Sequence, residues 1–292
     1  MGADHYEHSI YIVAVLEGAL KHVFTVDVED YFMSPEGISD ATWGSFPERI
    51  KESVGIVLDL LAEVNVRATF FVLGWIAERH PDLVKRISAD GHEIGCHGYW
   101  HRSVLKMPPQ VFKDDLERTL ILLRELSGQP VTAFRAPMWS LRTDTLWAFE
   151  ILAACGIRVD SSIYPVRTYL YGQPGAPTAP YELHGLFEFP PMVARIAGSP
   201  IPVGGGFSLR CFPLWVTRSA LNRYAHRGQP GLIYIHPWEL DPATPRNLPV
   251  PWKQRWIHNA GLRTTERKVR GLLGEFKFEA LSFHVSAEQL DL

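Results

Sequence analysis

Hydrophobic positions along this chain fall into short β-branched or aromatic runs that alternate with longer stretches of helical spacing. The segment HVFTVDVEDYF starts apolar near Val23 and turns acidic at Asp27, which predicts a buried strand opening into a polar loop. Residues 46–64 place Ile50, Val54, Val57, Leu58, Leu61 and Val64 at helical spacing. RATFFVL, residues 67–73, predicts a second strand, and residues 74–89 a helix with Pro81 near an internal turn. GHEIGCHGYWH then predicts a third strand with its own loop. The alternation continues with a helix over 112–126, a strand over 131–135, a helix over 143–155 closed by Gly156, and a strand over 157–160.

Residues 169–181, YLYGQPGAPTAPY, are rich in Gly and Pro and predict an excursion loop. LFEFPPMV and FSLRCFPLW predict short strands around a Gly204-Gly205-Gly206 turn. A helix over 217–227 and an apolar strand over 231–236, ending in His236, follow. The tail from 259 to 292 predicts a surface helix in TTERKVRGLLGEF and an edge strand in FKFEALSFHV. Because each parallel connection needs a crossover, this alternation over about 210 residues predicts an α/β fold built on a parallel barrel or sheet.

Composition removes several function classes. Hydrophobic residues make 46% and charged residues 21% of 292, so disorder and fibrous repeats are poor readings. The net charge of -3 provides no basic surface for many phosphates, and no nucleic-acid partner is expected. Cys96, Cys155 and Cys211 are odd in number and widely spaced, which fits a reducing compartment rather than a disulfide framework. The apolar run from Ile10 to Leu16 lacks a basic leader and ends at Glu17, so neither a signal peptide nor a membrane span is expected, and a soluble cytoplasmic protein is the default.

The residues able to do chemistry collect at predicted strand ends. His97 and His101 are four apart, a spacing that puts two imidazoles on one side of a helical turn and suits a zinc ion. Asp27, Glu29 and Asp30 follow the first strand, and a carboxylate among them would complete a two-histidine site while a second acts as general base. Arg135 in FRAPMW could hold the base ionised through a bidentate contact. Asp160 in VDSSIYP and His236 in LIYIHPWE end two further strands, and His236 is of the type that protonates a leaving amine.

The ordered set TVDVED, GHEIGCHGYWH, FRAP, DSSIYP and LIYIH, spread over residues 23–240, resembles the five motifs of the polysaccharide deacetylase family, the NodB-homology esterases similar to carbohydrate esterase family 4. DVEDYF, HGYWHR and GGGFSL look more like the subgroup encoded in bacterial exopolysaccharide loci, including those with exosortase systems, whose members carry a C-terminal extension. The resemblance implies a distorted (β/α)7-type barrel at 23–240, a lead-in at 1–22 and an extension at 241–292 packed on the barrel. It implies hydrolysis of N-acetyl groups from amino sugars of an exopolysaccharide or other glycan.

In the family pattern Asp27 matches the base, His97 and His101 the metal histidines, Arg135 the brace of the base, Asp160 the residue that tunes the acid, and His236 the acid. The metal carboxylate usually follows the base directly, but Val28 stands there, so Glu29 or Asp30 takes the role; the family's preference for aspartate favours Asp30. The implied cofactor is a divalent metal, Zn2+ first, with Co2+ or Ni2+ as substitutes. Trp139 and Trp238 are the aromatics expected to stack on sugar rings. The expected partner is an N-acetylated oligo- or polysaccharide, handled beside membrane-proximal synthesis machinery at the inner membrane. Two other readings stay open, an amidohydrolase of the same barrel acting on a small C–N bond, and a catalytically silent glycan-binding barrel.

Overall fold

HVFTVDV forms the first strand, β1 (His22–Val28), and every residue of it is buried. A strand covered on both faces is what the middle of a parallel sheet requires. Its side chains alternate: Phe24, Val26 and Val28 join the large apolar cluster shared with the helices, whereas Val23 belongs to a second cluster with Phe71, Tyr164, Phe189 and Tyr234. Thr25 and Asp27 share the parity of Val23, so strand geometry alone sends Asp27 into the barrel interior.

The computed structural model describes residues 20–35, 37–142, 144–168, 172–196 and 198–285. The expectations for residues 1–19, the apolar run at 10–16 among them, lie outside the described residues, as do Thr143 and part of the 169–181 loop. After β1 come α1 (Ile50–Glu63), β2 (Thr69–Val72), α2 (Gly74–Arg79), α3 (Pro81–Ala89), β3 (Glu93–Cys96), α4 (Pro109–Ser127), β4 (Ala133–Phe134), α5 (Leu146–Ala154) and β5 (Val159–Asp160). The second half has β6 (Tyr181–Leu183), β7 (Leu186–Glu188), β8 (Val193–Ile196), β9 (Ser199–Pro202), α6 (Gly206–Cys211), α7 (Leu214–His226), β10 (Leu232–Ile235), α8 (Trp252–Asn259), α9 (Leu262–Glu275) and β11 (Phe278–Glu279).

The main sheet runs β10-β1-β2-β3-β4-β5-β7-β6, with β11 also paired to β1, and only the β6–β7 contact is antiparallel. The gap between its two ends is narrowed by the chain at 192 and 204: Met192 N donates to Leu232 O at 3.4 Å and Tyr234 N to Gly204 O at 2.9 Å. The result is the distorted α/β barrel expected from the sequence, with β8 and β9 as a separate hairpin.

Several local expectations are corrected. Pro81 divides the helix expected over 74–89 in two, since it starts α3 at the first helical position, where its missing N–H costs nothing. FSLRC is helix α6 rather than strand. A Cβ on Gly205 would sit 2.1 Å from Tyr234 O, so the glycine run passes tightly against β10, and Ser208 Oγ donates to Gly205 O at 2.7 Å at the start of the helix. In the tail, the strand expected from FKFEALSFHV shrinks to two residues beside His22 and Val23. The tail is also tied to the barrel by Lys268, whose Nζ donates to the carbonyls of Leu209, Arg210 and Phe212. No helix among the described residues is long and apolar enough to cross a membrane.

Burial of His92 gives a titration that stability measurements can read. His92 precedes β3, is 3% exposed, packs on Phe70 and accepts Ala68 N–H at Nδ1. Burial first, then Arg67, lowers its pKa to about 4. The unfolded chain therefore binds a proton that the folded chain refuses between about pH 6.5 and 4, and this contribution is present at neutral pH and fades as pH falls through that window. In His92→Asn the amide oxygen can accept the same N–H without titrating. The stability gap between wild type and variant, from paired urea midpoints, should shift in the variant's favour by up to about 3 kcal/mol between pH 7.5 and pH 4. A pH-independent gap would contradict the neutral buried imidazole.

Candidate active site

The carboxyl ends of the strands converge on a cavity of about 240 Å³ lined by Asp27, Glu29, His97, His101, Arg135 and His236, among others. Asp27 is held by Arg135, whose Nη1 donates to Asp27 Oδ1 at 2.6 Å and to Thr25 Oγ1 at 2.8 Å. The rest of the guanidinium is satisfied by Ser161, through Nε to the carbonyl at 3.2 Å and Nη2 to Oγ at 2.9 Å. Arg135 is fully buried, with its guanidinium carbon 4.2 Å from the Phe71 ring centre and 4.5 Å from that of Trp139. A buried charge is tolerated only with this degree of pairing.

Two residues beyond Asp27, Glu29 points into the same space. Its Oε1 lies 2.9 Å from His101 Nε2, 3.2 Å from His97 Nε2 and 3.9 Å from His236 Nε2. Ser34 Oγ donates to its other oxygen. Burial would raise the Glu29 pKa, but the charges of His101 and His236 and the contacts from both loop histidines hold it well below the usual carboxylate range. His97 follows β3 directly, and its Nδ1–H donates to Arg135 O at 2.7 Å, which fixes the ring with Nε2 turned to Glu29. His101 reaches the same point without a helix. Gly98 and His101 both have positive φ, +72° and +51°, so the loop curls back on itself, correcting the expected helical turn.

Asp30, expected beside the histidines, is elsewhere. Its Oδ1 accepts Tyr31 N–H at 2.8 Å and its Oδ2 accepts Arg49 N–H at 2.7 Å, so it braces the start of α1. The donor set that the structure brings together is Glu29, His97 and His101, with ligand atoms within 4.8 Å of one another. Two imidazoles and a carboxylate, one imidazole oriented by a backbone carbonyl, fit a divalent ion with open positions. Asp27, Glu29 and His236 form an overlapping group of the same span.

His236 follows β10 and begins the turn Pro237–Glu239. Its backbone N donates to Glu239 Oε2 at 3.0 Å and its Nδ1 lies 3.4 Å from the same oxygen, which leaves Nε2 directed at the cavity. Burial pulls its pKa down, but Glu239, then Glu29 and Asp27, prevail and raise it to about 9. The second Glu239 oxygen is 2.9 Å from Arg210 Nε. Arg210 Nη1 in turn donates to the carbonyls of Ile257, His258 and Ala260, tying the C-terminal helices to this wall.

Asp160, expected to tune His236, faces Glu188 across the β5–β7 register instead. Ser162 Oγ donates to Asp160 Oδ1, and Ile163 N to Glu188 Oε1 at 3.0 Å. Burial raises the Asp160 pKa to about 6, while burial and then Asp160 push Glu188 well above its ordinary range. Two such carboxyls side by side keep one proton between them. The two expected sugar-stacking aromatics both line the cavity and are nearly buried: Trp238 stacks with His236 and His258, ring centres at 5.7 and 4.2 Å, and Trp139 lies against Arg135 and two tyrosines. Among the described residues that line the cavity, Phe207 is the exposed aromatic, at 38%.

Glu239, Arg210 and Ser34 were not anticipated from the sequence. His236-x-x-Glu239 has the spacing of a capping box, which could have signalled Glu239. Arg210 and Ser34 come from distant segments and leave no local signature.

A parallel α/β barrel with carboxylates, two loop histidines and a further histidine at the strand ends is suited to metal-assisted hydrolysis. Comparison with known proteins supplies the family: residues 40–159 match the polysaccharide deacetylase model, and residues 161–285 match a domain of unknown function, DUF3473. The chain thus carries a polysaccharide deacetylase domain of the NodB/CE4 type continued by a DUF3473 domain, and the sheet runs unbroken from one matched segment into the other.

Among curated proteins, the chain is 38% identical over 95 residues to a peptidoglycan-N-acetylglucosamine deacetylase of Bacillus cereus, covering 32% of this chain and 34% of that one. It is 40% identical over 65 residues to a chitooligosaccharide deacetylase of Rhizobium leguminosarum bv. trifolii, covering 22% and 30%. The chain matches about a third of the length of these relatives. In fold it resembles the crystal structure of a putative polysaccharide deacetylase from Mycobacterium smegmatis, with TM-score 0.62, 22% identity, and coverage of 92% of this chain and 89% of that one. A CE4 family pseudoenzyme from Bacillus anthracis shares the fold at TM-score 0.50 and 16% identity, over 92% of this chain and 67% of that one.

Proposed function

We propose that this protein is a metal-dependent N-deacetylase acting on amino sugars of a glycan, of the exopolysaccharide type that its motifs resemble. The observation that carries the reading is the meeting of Glu29, His97 and His101 at one point of a cavity that also holds Asp27 and His236. Glu29, His97 and His101 would hold a divalent ion, zinc first among the candidates, and a bound ion supplies Lewis acidity to the acetamide carbonyl and lowers the pKa of water. Asp27, kept as an oriented carboxylate by Arg135, takes the proton from the attacking water. His236, carrying a proton on the Nε2 that faces the cavity, delivers it to the departing amine while Glu239 fixes its ring. Acetate and a free amino sugar result.

The test is metal content and acetate release on the same preparations, wild type beside the paired variant His97→Ala and His101→Ala. The expected result is about one divalent ion per chain, lost in the variant, with metal-dependent acetate release from N-acetylated oligosaccharides. The competing reading, a silent glycan-binding barrel, draws on the pseudoenzyme that shares the fold. It becomes the better one if folded wild type takes up no metal yet binds the oligosaccharide.

A further inference from the structure

We propose that α8 and the chain around it form a docking surface for an anionic lipid bilayer, and that the cavity beside it receives its glycan at the membrane surface. The second half of this statement rests on the deacetylase reading; the docking surface does not.

Within α8 only His258 is buried, while Trp252 is 67% exposed, Trp256 61% and Ile257 47%. Trp252 and Trp256 are one turn apart and share the outward face. Isolated exposed aromatics are ordinary, but a cluster of this kind marks an interaction site. The helix is also firmly held, since Arg210 binds its last carbonyls and His258 stacks on Trp238 at 4.2 Å. The tryptophans are therefore presented outward by a fixed helix. Phe207 extends the surface, its ring centre 6.1 Å from that of Trp256, and Phe207, Gln254 and Ile257 line the catalytic cavity. The apolar ledge thus runs to the cavity mouth.

The charge around this ledge selects the occupant. The 24 residues between Asp241 and Glu266 contain Arg246, Lys253, Arg255 and Arg263 and no acidic side chain, in a chain whose net charge is -3. All four are exposed, and Lys253 Nζ stands 5.8 Å from the Trp252 ring centre. Tryptophan rings seated at headgroup depth with lysine and arginine beside them are the chemistry of interfacial binding to anionic lipid. A soluble sugar would use the ring faces but not this local excess of positive charge.

The experiment uses the full chain in co-sedimentation with phosphatidylcholine vesicles, with and without phosphatidylglycerol. Binding is expected only to the phosphatidylglycerol vesicles, falling as salt rises and falling about tenfold or more in Lys253→Glu/Arg255→Glu and in Trp252→Ala/Trp256→Ala. Circular dichroism establishes that each variant is folded. Absence of vesicle binding by folded wild type, or binding that neither variant weakens, overturns the proposal. So does either alternative occupant: Trp256-dependent fluorescence quenching by a chitooligosaccharide without vesicle binding, or a solution dimer that Trp252→Ala/Trp256→Ala dissociates. Vesicle binding is read without turnover, so it can hold even if no acetate is released, and its failure leaves the deacetylase reading intact.

Discussion

Replacing Glu29 by Gln should cost about 100-fold or more in divalent-metal affinity and reduce acetate release to background, while Asp30→Asn keeps both. Glu29 is the carboxylate that meets His97 and His101 at 3.2 and 2.9 Å, and among the described residues no other carboxylate groups with both rings. Gln preserves its size and can still accept from Ser34, so the buried pocket is not emptied. Asp30 serves the fold. Asn keeps an oxygen for one of the Arg49 and Tyr31 N–H groups but sets an NH2 against the other, so Asp30→Asn should lower stability by about 1 kcal/mol, as the loss of a helix cap does. Metal analysis and melting curves on the two single variants separate the roles. Metal retained in Glu29→Gln and lost in Asp30→Asn would reverse the assignment.

That pair of residues also shows what the sequence could tell and where it stopped. The apolar periodicity of HVFTVDV, RATFFVL and LIYI was sufficient to place β1, β2 and β10, because parallel strands buried on both faces leave long apolar runs. Asp27, His97, His101, Arg135 and His236 were all legible as strand-end residues, and the structure gathers them around one cavity. The choice between Glu29 and Asp30 depended on a turn that the sequence does not show: β1 ends at Val28, and Glu29 N donates back to Asp27 O at 2.9 Å, so strand alternation does not carry on to these two residues. Asp160 misled for a different reason. The end of a strand was visible, but its neighbour in the sheet, Glu188, lies in a segment whose pairing depends on the excursion after β5. FSLRC alternates like a strand and becomes a helix because of contacts between Gly205 and β10, which no local pattern encodes.

The second large effect concerns the proton donor. His236→Gln should lower kcat by about 10²- to 10⁴-fold, the usual contribution of a placed general acid, with metal content unchanged. Glu239→Gln should lower kcat by roughly tenfold to 100-fold with KM little changed, because the ring stays in the cavity but loses the carboxylate that orients it and favours its charged form. Glu239→Gln also leaves Arg210 without its anionic partner, so a drop in melting temperature accompanies the loss of rate. Asp160→Asn is the contrasting case. Its carboxyl shares a proton with Glu188 rather than facing His236, so kcat should stay within a few-fold of wild type while the pH dependence of stability near pH 6 changes. If Asp160→Asn instead matched His236→Gln in kcat and Glu239→Gln were silent, the acid would be oriented from β5 after all, and the turn at Pro237–Glu239 would be only a helix cap.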